Sequence, residues 1–353
     1  GLPSFPDNCK VSFCVIAVCC LVSFGMYAMS EIRRSIPSRG HFTPPEMYVN
    51  EGGDQCFAPG SFWYTMKHSD IRGAQDALWM GGTDPKHVLY HYNGLNGEPY
   101  RTIWKPQLEV NDRHRASAQN EVLVFHVDCL LQLHRTPAAV TYPIPFNIIE
   151  NNLSPRSQDI YNIRNATWDT WRQNNEILGS TQFLYPGVQN VNGFAESLAR
   201  FMKYLGIYEW FYSLLGATNA TVREVSQRDM LDFICGSWDR GHNQFFIHEQ
   251  SRNSAEIIYI DHNHLRMNRQ GNNPFRLRLC KFWPESVQRL ESVVQRNISQ
   301  LVIDSLQKHE DYFVWEEDLL LIPIRFMQKR AEAFLTHVDQ CVKEYGHQYV
   351  FVE

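Results

Sequence analysis

The sequence predicts an α+β chain of two lobes, a small β-rich half with one helix followed by a larger helical half, behind an N-terminal membrane segment. Three observations carry this expectation. Between about residues 77 and 146, short strand-like runs broken by turn residues lead into one stretch of helical spacing. From Gly193 onward helical spacing dominates, with one strand-like interruption. Residues 11–29 carry no Asp, Glu, Lys or Arg, and nothing else in the chain is comparably apolar. The 353 residues are 44% hydrophobic and 20% charged, with 33 Lys and Arg against 38 Asp and Glu for a net charge of -5. That composition excludes a collagen, a disordered tail and a polytopic membrane protein. The mild acidity also argues against a nucleic-acid partner, whose binding would need a basic surface.

In chain order, residues 1–35 read as a tail and signal-anchor helix, because about 20 apolar residues span a bilayer. A cleaved signal peptide ending near Ala28–Ser30 and a buried core helix are the alternatives. Arg33 and Arg34 outnumber Lys10, and by charge bias alone would keep the C-terminal side cytoplasmic. The glycosylation sequons at Asn165, Asn219 and Asn297 point the other way, with Asn152 a weaker fourth because Pro155 follows it. Together with the anchor they favour a lumenal, type II arrangement. Residues 36–75, with Pro37, Pro44, Pro45, Gly52 and Gly53, read as a stem.

Residues 76–180 form the predicted small lobe. Residues 87–92 alternate as a strand, 93–97 turn, and 100–105 return as a strand stopped by Pro106. Residues 116–133 place Val122, Phe125, Leu130 and Leu133 at helical spacing, with Pro137 just past the end. Residues 177–184, broken by Gly179, are a strand or a connector. Residues 181–353 form the large lobe, with helices expected at 194–212, 222–233, 285–294, 303–308 and 324–344, and a strand at 256–261. Ligands commonly bind between two such halves.

Four residues in this frame bear on chemistry. Lys105 ends a strand and Glu121 lies on the helix that follows; singly they read as a surface lysine and a solvated helix former. A strand lysine followed by a helix glutamate is, however, the arrangement that positions nucleotide phosphates in kinases. Asp239 follows a helical run ending near Gly236, where a loop carboxylate orients or deprotonates a hydroxyl nucleophile; the plainer reading is an Asp239–Arg240 surface pair. Asp261 ends the strand at 256–261, and a carboxylate emerging there suits a hard divalent cation bridging phosphates. Of the histidines, only the strand pair His87 and His91 shows a zinc-ligand spacing, and all read as ordinary or local hydrogen-bonding residues. Cys129 and Cys235 lie in apolar helical runs and read as buried thiols, while Cys56 has no assigned partner.

The chain resembles the secretory-pathway kinase family that contains the Golgi casein kinase, the glycosaminoglycan xylose kinase, the Golgi-associated kinases and Four-jointed. The resemblance rests on Gly81-Gly82-Thr-Asp, Trp104-Lys105-Pro106, Asn120-Glu121 with Phe125-His126-Val-Asp128, Gly236-Ser-Trp-Asp239-Arg240, Ile258-Tyr-Ile-Asp261, and Cys280 with Cys341. It implies a protein-kinase-like fold with ATP between the lobes. Lys105 would hold the phosphates, Glu121 and Asp261 the Mn2+ or Mg2+, Gly81 and Gly82 would cover the nucleotide, and Asp239 would be the catalytic base. Cys280 and Cys341 match a family disulfide. The implied setting is the Golgi membrane, or secretion after cleavage, with homo- or heterodimers open. The implied acceptor is a Ser or Thr of a secreted or cell-surface protein, with a xylose hydroxyl of a proteoglycan linker as the alternative; selection between them would reside in loops such as 147–175. Departures concern the metal shell: Gln244 stands five residues after Asp239 where an acid is usual, and His262-Asn263 follow Asp261. These changes leave the main charged residues intact but weaken the metal shell, and a pseudokinase acting as a binding or allosteric partner is the further alternative.

Overall fold

A computed structural model describes residues 53–77, 86–92, 99–107, 117–163, 173–184, 189–190, 219–237, 245–251, 254–259, 265, 280–311 and 317–352. The expected anchor at 11–29 and the helix at 194–212 lie outside them. Among the described residues no helix is long and apolar enough to cross a membrane.

The N-terminal part is a five-stranded antiparallel sheet in the order β1-β2-β3-β7-β4. Its strands are β1 Ile71–Asp76, β2 His87–His91, β3 Tyr100–Pro106, β4 Ala139–Thr141 and β7 Gly179–Phe183. The strands read at 87–92 and 100–105 therefore form as a pair, His87 opposite Trp104 and His91 opposite Tyr100. β7 is an interior strand of the sheet, so the expected boundary between residues 180 and 181 falls inside a strand of the first lobe. Gly179 allows this pairing, because a Cβ there would sit 2.4 Å from the Lys105 carbonyl oxygen and 2.6 Å from the Trp104 ring. Two short strands, β5 Ile144–Pro145 and β6 Glu176–Ile177, pair beside the sheet. The expected acceptor loop at 147–175 is partly helical, with α3 Phe146–Glu150 and α4 Pro155–Ile163. Trp104 and Leu89 pack with Phe146, Ile149 and Tyr161 from this region in a satellite core.

The histidines of β2 are structural. His87 Nε2 meets the Tyr161 hydroxyl at 2.8 Å. His91 joins Ser69 and Thr102 at 2.7 and 2.9 Å, and Thr181 donates onward to Thr102 at 2.6 Å. Burial lowers both imidazoles to about 4, which keeps them neutral at ordinary pH.

The helix expected at 116–133 is α2, Ser117–Leu131. It is not an amphipathic surface helix: nearly every described side chain from Ala118 to Leu131 is buried. The helix is enclosed by β4 and β7 and by three helices of the second half, α5 Asn219–Cys235, α6 Pro284–Gln295 and α7 Ile298–Lys308. A helix enclosed on all sides has no solvent face to reveal its orientation by polar residues. Its polar residues serve particular partners instead. The long α8 Glu317–Tyr345 packs on α5 and α7, and α9 His347–Val350 follows it. A second sheet contains β8 Gln189–Asn190, β9 Phe245–Ser251 and β10 Ser254–Tyr259. Residues 256–259 of the run read at 256–261 thus belong to a hairpin whose first strand the sequence pattern did not reveal.

Two expectations are corrected here. Residues 53–75, the described part of the stretch read as stem, belong to the fold: a 3-10 turn Gly53–Phe57, then α1 Phe62–Lys67 and all but the last residue of β1. Phe57, Trp63 and Met66 are buried in the main core, a reason for this segment to stay docked. Cys129, read as a buried thiol, is bonded to Cys56 across a sequence separation of 73. Cys56 therefore ties this N-terminal segment to α2. Cys280 and Cys341 form a second disulfide, and Cys235 is a free buried thiol.

Candidate active site

The strand and helix carrying the two described candidate residues bring them together. Lys105 Nζ donates to Glu121 Oε1 at 2.6 Å, and Glu121 is 1% exposed against 9% for Lys105. In the antiparallel register Lys105 opposes Ser180 and Ile103 opposes Gln182, so these side chains project from one face of the sheet. That face meets α2 at Glu121, whose other oxygen accepts from Gln182 Nε2 at 3.3 Å. Trp104 projects oppositely and anchors β3 by donating its indole N–H to the Tyr142 carbonyl at 2.9 Å. A buried charge pair of this kind persists only when its atoms are hydrogen-bonded, and it fixes both side chains in position.

Asp239, Asp261, Gly81 and Gly82 lie outside the described residues, but the backbone flanking the two aspartates is defined. α5 ends at Cys235, and Gly236 turns with φ 74, a left-handed value that favours glycine. A Cβ at Gly236 would lie 2.4 Å from the Arg330 guanidinium, which donates to the Ile234 carbonyl at 3.3 Å. Ser237, two residues before Asp239, pairs with Leu265, four after Asp261. The two candidate acidic segments are thus tied to each other at their described ends.

A third link comes from Asp128, a residue of the resemblance with no role assigned from sequence. Its buried carboxylate accepts the Arg135 N–H on both oxygens, at 3.1 and 3.2 Å. This holds the turn after α2, where Gln132 and His134 both have positive φ. The Arg135 carbonyl in turn accepts the Tyr259 N–H at 2.9 Å, two residues before Asp261. The helix that carries Glu121 therefore also braces the strand that leads to Asp261. The sequence signal for this was the Phe125-His126-Val-Asp128 motif itself, whose polar residues are internal fasteners.

Burial raises the Asp128 carboxyl to about 7, and the backbone N–H groups of Arg135, Thr136 and His134 with the Arg135 charge pull it only part of the way down. Its folded value lies above the unfolded carboxyl, about 3.9. The stability it contributes is then complete below about pH 4 and is lost as the pH rises to about 7. In urea denaturation, the stability difference between wild type and Asp128→Asn is expected to move against the wild type across that window. A difference constant from pH 4 to 7 would refute the assignment.

Of the sequon asparagines, Asn297 is exposed and caps α7 by accepting the Gln300 N–H at 3.3 Å. Asn219 is the first residue of α5, and Asn165 lies outside the described residues.

No family model matches the sequence. No curated protein matches it either. Solved structures do match. A structure of hydra Fam20 with sugar superposes with a TM-score of 0.59 at 16% identity, covering 89% of this chain and 97% of its own. A crystal structure of the Golgi casein kinase gives a TM-score of 0.56 at 14% identity, covering 87% and 81%. The Golgi casein kinase with Mn/ADP bound gives 0.54 at 16% identity, covering 94% and 92%. The chain therefore has the kinase-like fold of hydra Fam20 and the Golgi casein kinase.

Proposed function

We propose that this chain is a member of the Golgi kinase family, a metal-dependent kinase that transfers the γ-phosphoryl group of ATP to a Ser or Thr hydroxyl of a secreted or cell-surface protein. The observation that carries the reading is the buried Lys105–Glu121 pair, on a strand and helix of a kinase-like fold. A lumenal, type II placement in the Golgi membrane belongs to the same reading and rests on residues 11–29 and the sequons.

The donor set suits a nucleotide with its cation: one ammonium for phosphate oxygens, and carboxylates, which hard divalent ions prefer. Glu121 and Asp261 would hold Mn2+ or Mg2+, and a relative of this fold was solved with Mn/ADP. When bound, the ion neutralises charge on the phosphates. Lys105 orients the phosphates, held in place by Glu121. Gly81 and Gly82 cover them, and Asp239 accepts the proton of the acceptor hydroxyl. Catalysis here is positioning and electrostatics.

A sugar hydroxyl as acceptor is the second reading, favoured by the relative solved with sugar. Incubation of the purified chain with labelled ATP and Mn2+, with casein and a xylosylated glycan primer side by side, separates the two. Label on casein supports the protein-kinase reading, and label on the primer alone replaces it with the glycan reading. Asp239→Asn is expected to keep thermal stabilisation by Mn2+ and ATP while losing transfer. Nucleotide stabilisation of the wild type without transfer to either acceptor would favour the pseudokinase reading that Gln244 and His262 suggest. Absence of any nucleotide-dependent shift would remove the enzyme reading.

A further inference from the structure

We propose that Gln182 is a positioning residue of this site, acting through Glu121; the inference rests on the kinase reading above. Gln182 lies in β7, between β3 and β4, opposite Ile103 on one side and Ala139 on the other. It is buried, as are its strand neighbours from Gly179 to Phe183. A central strand position between Ile and Ala calls for a β-branched apolar residue, and a buried amide there is costly unless hydrogen-bonded. The side-chain amide N–H of Gln182 donates to Glu121 Oε2 at 3.3 Å, while Oε1 of the same carboxylate accepts from Lys105 at 2.6 Å.

The two contacts divide the carboxylate. The terminal torsion of a glutamate is intrinsically broad, and Lys105 meets one of its two oxygens. Gln182 approaches from the neighbouring strand and holds the second oxygen, so the carboxylate plane is fixed by two strands at once. Because β3 and β7 are pressed together at Gly179, the amide is delivered from a rigid element. Partners that orient a ligating side chain in this way commonly affect metal affinity or activity by about 10- to 100-fold. The polar residue in an apolar strand is thereby accounted for by what it does to Glu121.

The test uses Gln182→Met, which keeps the volume and removes the donor, Glu121→Gln, and the double variant. By calorimetry Gln182→Met is expected to bind Mn2+ with ADP about tenfold more weakly than wild type, and to lower kcat by about tenfold with little change in the KM of the acceptor. In urea denaturation of the nucleotide-free proteins, the midpoint shifts of the two single variants are expected not to sum, because both remove the same interaction. Additive midpoint shifts, or Mn2+ with ADP binding to Gln182→Met within twofold of wild type, would overturn the proposal. Wild-type protein that fails to bind Mn2+ with ADP overturns the kinase reading itself. The nucleotide-free cycle needs no ligand and still decides whether Gln182 acts through Glu121.

Discussion

Lys105→Met is expected to lower phosphoryl transfer by about 10²- to 10³-fold at saturating ATP and Mn2+, the cost of losing one preorganised charge at the reacting phosphates. Methionine is chosen because Lys105 is itself buried. Truncation to Ala would add a void beside a carboxylate that is 1% exposed. The substitution leaves the Glu121 charge without its ammonium, and breaking one side of a buried pair commonly costs about 3–5 kcal/mol. Activity and stability must therefore be read together. Glu121→Gln supplies the comparison, since it keeps an oxygen for Lys105 and loses the charge and the second acceptor oxygen. If the pair positions phosphates, both variants lose transfer, and the unfolding midpoint falls further for Lys105→Met. Turnover within threefold of wild type in a folded Lys105→Met protein would refute the role of Lys105.

What the sequence disclosed follows the range of the forces involved. β2, β3 and α2 were legible because alternation and helical spacing are local, and the structure pairs or encloses them within one or two residues of the expected ends. Lys105 and Glu121 were legible only as a combination, since each alone has an ordinary surface reading. β4 was missed because three residues are too few to show a period. β9 was missed because Phe245 to Ser251 does not alternate. Over residues 53–75 the stem reading failed because Pro and Gly mark turns without saying whether the chain beside them is docked. The burial of Phe57, Trp63 and Met66 shows that residues 53–75 are docked. Cys56 found its partner 73 residues away, and no local pattern encodes that distance. Gln182 was silent for a similar reason: its meaning depends on Glu121, 61 residues earlier on another element.

Asp311→Ala is expected to be the most destabilising single substitution outside the active site, by about 3–5 kcal/mol, because it removes the common acceptor of four donors from three elements of the chain. Its carboxylate accepts from Trp63 Nε1 at 2.6 Å and Lys67 Nζ at 3.1 Å, both on α1. It also accepts from the Thr141 backbone N–H of β4 at 3.0 Å and meets His126 Nε2 of α2 at 3.1 Å. The other ring nitrogen of His126 lies 2.8 Å from the Ser305 hydroxyl of α7, so one buried aspartate joins the docked N-terminal segment, the sheet, α2 and, through His126, α7. Burial alone would raise the Asp311 carboxyl; the hydrogen bond and charge of His126, the Lys67 ammonium and the Trp63 indole together hold it below the usual value. A folded value below the unfolded one means that this stability is present above the unfolded carboxyl range, about pH 4, and disappears as the pH falls through the folded value. The stability gap between wild type and Asp311→Ala, followed by urea denaturation, is therefore expected to be widest near neutrality and to close in acid. Asp311→Asn, which keeps one oxygen acceptor and loses the charge, should fall between the two. A gap below about 1 kcal/mol at pH 7, the worth of a single ordinary hydrogen bond, would show that these four elements hold together without it. Since His126 lies five residues beyond Glu121 on the same helix, loosening this junction should also reach the Lys105 pair, and a partial loss of nucleotide stabilisation in the folded fraction of Asp311→Asn is the sign of it.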